Sequence, residues 1–290
     1  MHQKRGILFE LFLSWFHQFN SDARRWALSA TMASSKDAAN ILCPNHHVEC
    51  IKDDFKKQIV GDILLPDQAD AAFRSLGRQL IAPLIKKIQS VTSAIVFTNT
   101  RSQSEQWFQL LLDSKAFDRD ELAIHHSAVA ATDRTMAEAG IKSGAIRCIV
   151  ATSSLDLGVD LEPVDLVIHI GSPKGMARLK QRAGRSGHSP FESAAILMVP
   201  RHGFEVIESV AAISNLGDDV RDDVPYHGMP MDVLMQHLIN VCMGGSYCKS
   251  TLFQMVTSTH TYAQLTETDL QWLLDFCCNE HTLLKAYPEH

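Results

Sequence analysis

Two arginines set among glycines, in Gln181-Arg182-Ala183-Gly184-Arg185-Ser186-Gly187-His188, carry the most specific chemical signal in the chain. Arginine keeps its charge at any working pH, and its planar fork grips two phosphate oxygens at once. Offered to a transferring phosphoryl group, one such arginine stabilises the charge that develops there and contributes roughly three to five powers of ten in rate. Gly184 and Gly187 would let the backbone turn tightly and approach closely what it faces. The bland alternative is a solvated basic turn, which Arg-x-x-Arg by itself does not exclude. A companion stretch, Val150-Ala151-Thr152-Ser153-Ser154-Leu155-Asp156-Leu157-Gly158-Val159-Asp160-Leu161, stands about twenty residues upstream.

The elements that must position these residues form a regular pattern from Gln79 onward. Helix Leu80–Gln89 precedes the apolar run Ala94–Phe97, then Thr98-Asn99-Thr100-Arg101 and a helix to about Leu112. A strand at Leu122–Ile124 leads to His125-His126-Ser127, where packing and a structural hydrogen bond are the readings favoured for the histidines. Asp133–Lys142 reads as a helix, Cys148–Ala151 and Leu166–Ile170 as strands, Gly175–Ala183 as a helix and Ala194–Val199 as a last strand. Short apolar strands alternating with helices predict a parallel sheet covered on both faces. Ligands then gather beyond the carboxyl ends of the strands, where Thr98–Arg101, His126–Ser127 and Thr152–Ser154 fall. A turn residue at a strand end remains the alternative for Thr98 and Thr152.

Helix Phe204–Leu216 closes this α/β unit, and Gly217–Pro225 is an acidic, turn-rich linker. Three amphipathic helices come next, Met231–Cys242, Lys249–Thr257 and Thr266–Cys277, the last with Thr266 as a plausible N-cap. They predict a winged-helix or small helical module.

On the amino-terminal side, Lys4-Arg5 and the apolar run Ile7–Phe16 imitate a signal peptide, but Glu10 interrupts the run and no small-residue cleavage site comes after it. The run is too short to span a bilayer. An amphipathic helix with Leu8, Leu11, Phe12, Trp15 and Phe19 on one face is the better reading. Trp26–Met32 reads as a short strand ending in small hydroxyl residues. Cys43 to about Gly77 reads as a connection, with a strand at Val60–Leu65 and a turn at Pro66-Asp67.

With 290 residues, 46% of them hydrophobic, the chain can build one large or two medium cores. A net charge of −6 means that any nucleic-acid footprint is local. Seven scattered cysteines, an odd number, fit reduced thiols better than a disulfide framework. Cys43, His46, His47 and Cys50 are potential zinc ligands, but wrapping all four around one tetrahedral ion within eight residues is sterically hard. No metal site is expected.

Together, Val96–Arg101, His125-His126-Ser127, Thr152–Asp160 and Gln181–His188 resemble the large helicase-related (Lhr-like) DExH-box helicases of superfamily 2. Gln181–His188 is close to their motif VI, Gln-x-x-Gly-Arg-x-Gly-Arg, the companion stretch to motif V, and Ser29-Ala30-Thr31 to motif III. The tail, through Ala286-Tyr287-Pro288-Glu289, looks most like the bacterial ligase-associated branch. The resemblance implies a RecA-like parallel sheet, the carboxyl-terminal helicase lobe, at residues 78–217. Residues 1–45 would be the tail of a first lobe, 46–77 a connector and 226–290 an incomplete winged-helix-like module. It further implies a cytoplasmic ATP-driven translocase with 3′-to-5′ polarity. DNA is favoured over RNA, the partners are ligase-associated repair proteins, and no membrane is involved. Arg185 would be the arginine finger, Arg182 would sit beside it, and Gln181 would interlock with Ser29 and Thr31. Gly158 and Asp160 would lie near ATP, while Thr98, Asn99, Arg101, Thr152 and Ser153 would touch the nucleic-acid backbone.

Two departures matter. His188 stands where many members carry a second arginine, and the chain has neither Gly-x-x-x-x-Gly-Lys-Thr/Ser nor Asp-Glu-x-His. Those elements cradle the phosphates and hold magnesium. ATP and Mg2+ are therefore expected for a complete parent, of which this chain would be a natural fragment or truncated product. The alternative is a non-catalytic nucleic-acid- or protein-binding module that has kept the fold and lost turnover.

Overall fold

Among the described residues six short strands form one sheet: β1 (Ile59–Ile63), β2 (Ala94–Phe97), β3 (Leu122–His125), β4 (Cys148–Ala151), β5 (Leu166–Ile170) and β6 (Ala194–Val199). The computed structural model describes residues 4–28, 35–44, 47–51, 57–66, 79–156, 161–187, 192–217 and 228–278. Strand order is β1-β6-β5-β2-β4-β3, and every neighbouring pair is parallel. The sheet belongs to a compact unit of residues 54–222.

The reason for this architecture lies in the strands themselves. β2 and β4 are buried at every position, as strands covered on both faces must be. Successive side chains enter opposite layers. Val96, Val150 and Ile168 pack with α3 (Ile81–Gln89) through Leu84 and Ile88, and with α4 (Arg101–Asp113) through Trp107 and Leu111. Ile95, Ile149 and Val167 face α5 (Ala131–Ser143), α6 (Met176–Ala183) and α7 (Gly203–Ser214) through Ile141, Leu179 and Ala212. Complete burial pushes the Cys148 thiol up to about 12, so this cysteine is a core residue without reactivity.

One element sits elsewhere than the sequence suggests. β1, expected within the connector, is the edge strand of the sheet and pairs with β6 from Ile59↔Ala194 to Ile63↔Met198. Its Gly61 packs so closely on α7 that a Cβ would lie 2.8 Å from Leu216 Cδ1 and 2.9 Å from Ile213 Cγ1. That glycine breaks the apolar run, so the pattern shows a strand at Val60–Leu65 but not that the strand joins the sheet.

The second unit comprises residues 1–53 with 223–290. Its described helices are α1 (Lys4–His17), α2 (Ser35–Leu42), α8 (Met231–Gly244), α9 (Lys249–Thr257) and α10 (Glu267–Cys277). Val233, Leu234, Leu252, Met255, Tyr262 and Leu270 form its core together with Ile7 and Leu11 of α1. Thr266 caps α10 as expected, accepting from Asp269 N at 3.1 Å. Tyr262 is fully buried, and its hydroxyl donates to Pro230 O at 2.9 Å.

Helix α1 is bound to this core by polar contacts as well. The Glu10 carboxylate, 4% exposed, accepts from Thr261 N at 2.9 Å and Thr261 Oγ1 at 2.6 Å. Ser14 Oγ donates to Met255 O at 2.6 Å, and Trp15 Nε1 donates to the Tyr247 hydroxyl at 3.0 Å. The buried face of α1 is only partly the expected one: Leu11 is inside and Leu8 and Trp15 pack against the core, but Ile7 and Glu10 are buried as well, whereas Phe12 and Phe19 are outside. Trp26–Leu28 is exposed and in no strand, while Ser29 and Thr31 lie outside the described residues. Among the described residues no helix is long and apolar enough to cross a membrane, and no cluster of His, Cys, Asp and Glu is placed to hold a metal.

Candidate functional site

In an open parallel sheet, ligands bind where neighbouring strands send their connections to opposite sides. Here that point lies between β2, whose chain leads towards β3, and β5, whose chain leads towards β6. Asn99, just after β2, bridges it by donating from Nδ2 to Ser172 O at 2.9 Å, while its Oδ1 is buried without a partner. Gln103 Oε1 accepts from Asn99 N at 3.2 Å, and Thr100 caps α4 by accepting from Gln103 N at 3.2 Å. The first turn of α4 holds no acid and opens with exposed Arg101. A helix start is electropositive, so a cation here gains nothing unless an anion approaches.

Thr98 and Thr152 are placed differently from the expectation of direct backbone contact. Thr98 is fully buried, and its hydroxyl donates inward to Thr100 O at 3.1 Å and Ala151 O at 3.3 Å. Thr152 is 9% exposed, with its N–H donated to His125 O at 3.2 Å. Ser153 is exposed on the rim beside it. His125 and His126 are both buried. The His125 ring nitrogens lie 2.7 Å from Ser154 Oγ and 2.9 Å from Glu138 Oε1, a structural bridge from β3 to the loop after β4 and to α5.

The glycine–arginine turn is anchored from several sides. Val164 N donates to Arg185 O at 2.9 Å, and Gly187 N donates to Val164 O at 3.2 Å. Ser186 Oγ, fully buried, accepts from Ala195 N at 2.7 Å and so ties the turn to β6. Lys57 Nζ donates to Ser186 O at 2.8 Å and to Gly187 O at 3.0 Å. Gly187 has φ +84°, a backbone conformation that strains any residue with a side chain, so glycine is favoured here whatever the space around it. Gly184, expected to do the same, has a helical φ of −61° that any residue adopts.

The two arginines part company. Arg182, expected beside Arg185 in the catalytic set, is 1% exposed. Its Nε donates to Asp156 Oδ1 at 2.8 Å, its guanidinium lies 4.7 Å from the centroid of the Phe97 ring, and its Nη1 has no partner. Burial pushes its pKa down, against the pull of Asp156, but a guanidinium stays charged. Arg178 Nε approaches Asp156 Oδ2 at 3.4 Å from a more exposed position. Arg185 is half-buried, and its Nη2 donates to the backbone oxygen of Asp156 at 3.1 Å. Asp156 therefore holds both motif arginines, Arg182 by its carboxylate and Arg185 by its carbonyl. Sequence reasoning missed this aspartate. Gln181 is half-buried on α6, while Gly158, Asp160 and His188 lie outside the described residues.

Beneath this cluster, His169 is buried beside Phe97 O. Desolvation, reinforced by the Arg182 charge, lowers its pKa to about 3. A histidine whose folded pKa lies below its unfolded value of about 6.5 stabilises the fold above pH 6.5 and withdraws that stability as pH falls towards 3. The sheet unit should lose about 2 kcal/mol between pH 7 and pH 5 from this group. Urea midpoints at the two pH values measure it, and His169→Gln should remove that part of the difference.

With this geometry in place, known proteins give its context. Residues 76–189 match the helicase conserved C-terminal domain, and residues 217–290 match the winged-helix domain of the large helicase-related protein. The ATP-dependent helicase Lhr-Core of Methanocaldococcus jannaschii is 30% identical over 278 residues, which are 94% of this chain and 32% of that protein. The Lhr helicase/probable uracil glycosylase of Mycolicibacterium smegmatis is 25% identical over 313 residues, covering 96% of this chain and 21% of its own length. The structure of Mycobacterium smegmatis helicase Lhr bound to ssDNA and AMP-PNP superposes with a TM-score of 0.85 at 26% identity, over 94% of this chain and 36% of that one. The chain spans about a third of the first relative's length.

Proposed function

Since the chain belongs to the large helicase-related proteins of superfamily 2, whose carboxyl-terminal helicase domain and winged-helix domain it carries, we propose that it supplies the arginine finger and part of the nucleic-acid path of an ATP-dependent DNA translocase. The observation that supports this reading is the division of labour at the end of α6: buried Arg182, in the last turn of the helix, is locked to the Asp156 carboxylate, while Arg185, in the turn that follows, is half-buried and donates to the Asp156 carbonyl. Arg185 is then the group that meets the γ-phosphoryl charge of an ATP held by a partner lobe. The motif likeness assigns Gly158 and Asp160 to the same nucleotide, and Gln181, Ser29 and Thr31 to coupling between lobes. Asp156 and Arg182 are positioning residues.

Single-stranded DNA is the favoured nucleic acid, because the Mycobacterium smegmatis Lhr that superposes on this chain is bound to ssDNA. Asn99, Arg101 and Ser153 contact its backbone, and Thr98 and Thr152 hold that rim in shape from within. Such contacts grip phosphates without reading sequence. A role in DNA repair beside ligase-associated proteins rests on the likeness of the tail alone. ATP is the substrate. The described residues offer no donor set for Mg2+, so no step is assigned to the metal.

The second reading, a binding module without turnover, is favoured by the lack of a phosphate-binding loop and of Asp-Glu-x-His in the sequence. Phosphate release separates the two. The chain alone should show no nucleic-acid-stimulated release, and the same chain supplied with a first lobe should show it. Turnover near about one per second by the chain alone would overturn the proposal.

The nucleic-acid rim has its own test. With few charged contacts and a net charge of −6, log K for a labelled oligonucleotide should fall against log salt with a slope of only about −1 to −3. Arg101→Ala should make that slope shallower by about one, equally for different base sequences. An unchanged slope would move the binding surface away from α4.

A further inference from the structure

The connections that leave the carboxyl ends of β2, β5 and β6 differ in charge from the rest of the chain. Residues 98–101, 171–175 and 200–204 contain Arg101, Lys174 and Arg201 but no aspartate or glutamate, in a chain whose net charge is −6. The three strands are parallel neighbours in the order β6-β5-β2, so these connections lie side by side on one rim. Two strand spacings, about 10 Å, separate the first from the last. A polyanion meets an acidic protein only where the local charge is positive, and this rim is such a place.

Arg201 is fixed on the rim. Its guanidinium lies against the end of β5, where a Cβ on Gly171 would stand 3.0 Å from Arg201 Nε. Glu205, 2% exposed, accepts from Arg201 Nε at 3.2 Å, from Nη2 at 2.5 Å and from the backbone N at 2.7 Å. That pairing holds the fork still and leaves Nη1 for another acceptor, on a side chain 35% exposed. Lys174 is exposed in the loop after β5. Phe204, in the first turn of α7 and three residues beyond Arg201, is 79% exposed. The helix packs on the sheet through Val206, Ala212 and Leu216 instead, so this ring does nothing for the core. Ile207 and Val210 continue the exposed apolar side of α7, but one and two turns farther from the rim. An aromatic face beside fixed cations is what a single strand uses: the cations follow its phosphates, and the ring takes the face of any base.

We propose that the track for single-stranded nucleic acid continues from Asn99 across the ends of β5 and β6, where a base stacks on Phe204 and the adjoining phosphates meet Lys174 and Arg201. The inference rests on the reading that Asn99 and Arg101 contact the nucleic-acid backbone, and it extends that path in the direction away from β4. Glu205 is a positioning residue, since it aims the Arg201 fork without touching the strand.

The test titrates the 290-residue chain with a fluorescent oligothymidylate of about 16 nucleotides at several salt concentrations. Phe204→Ala and Phe204→Leu should each weaken binding about fivefold or more at an unchanged salt slope, because a stack releases no counterion. Phe204→Trp should bind at least as well as the parent chain, and the indole it introduces should be quenched by the oligonucleotide beyond any change in the parent. Lys174→Ala should make the slope shallower by about 0.7. Lys174 serves here in place of Arg201, whose loss would strand the buried Glu205 carboxylate. Affinity indifferent to Phe204→Ala, or an indole that is not quenched, overturns the proposal. So does self-association of the chain that Phe204→Ala abolishes while oligonucleotide binding persists, which would make α7 a protein surface. A slope that responds to Arg101→Ala, with the Phe204 and Lys174 variants binding like the parent, ends the track at β2 and keeps the contacts of Asn99 and Arg101. Dependence on Phe204 and Lys174 with indifference to Arg101→Ala keeps this track and removes those contacts.

Discussion

Arg185→Ala, in a protein that joins this chain to a first RecA-like lobe, should lower kcat for ATP hydrolysis by about three powers of ten or more. The turn that carries this arginine is braced independently of its side chain. Val164, Ala195 and Lys57 fix the backbone from Arg185 to Gly187, so loss of the side chain leaves the turn in place. What disappears is a charge needed most when the phosphoryl group is in transit, so the loss falls on kcat and kcat/KM together and little on nucleic-acid affinity. Stopped-flow phosphate release against ATP concentration, with oligonucleotide affinity measured in parallel, gives both quantities. If Arg182→Ala abolished turnover in a protein of unchanged melting temperature while Arg185→Ala remained active, the roles of the two arginines would be exchanged.

The second large effect is on stability. Asp156→Ala strands Arg182, which is 1% exposed, stacked on Phe97 and already short of a partner at Nη1. Removing one member of a buried ion pair costs about 3–5 kcal/mol, because the other charge stays buried and unpaired. In a unit of this size that corresponds to a fall in melting temperature on the order of 10 °C. Arg178→Ala removes a partner of the same carboxylate, but that arginine is 44% exposed and 3.4 Å away. Its loss should cost less than about 1 kcal/mol. Replacing the pair together, as Asp156→Leu with Arg182→Met, should recover much of the loss, since neither charge then remains inside. Equal melting temperatures for Asp156→Ala and Arg178→Ala would mean that the pair does not hold the turn.

The contrast between these residues shows what a linear sequence can reveal. Strands such as Ala94–Phe97 and Cys148–Ala151 are legible because burial on both faces leaves an unbroken apolar run. The turn after α6 is legible because glycine and arginine are costly choices with few uses. Its internal division is not. Arg182 and Arg185 are the same residue type three positions apart, and only tertiary packing sends one inward. Asp156 is hidden for the same reason, since its partner lies 26 residues on and no spacing rule links them. Gly184 and Gly187 are equally plausible turn residues, yet only Gly187 has the left-handed backbone. α1 misleads differently: with apolar residues on all sides, periodicity cannot choose a face, and Glu10, which interrupts the run, is a buried anchor.

That anchor has a consequence for the order of synthesis. Glu10 and Thr261 meet across 251 residues, and the whole sheet unit lies between them in the chain. At a ribosomal pace of about 5–20 residues per second, α1 waits about 10–50 s for the segment it packs against. During that interval the sheet unit can fold, whereas Ile7 and Leu11 lack the residues of the helical unit that later cover them. A holdase chaperone bound at that face of α1 would bridge the wait.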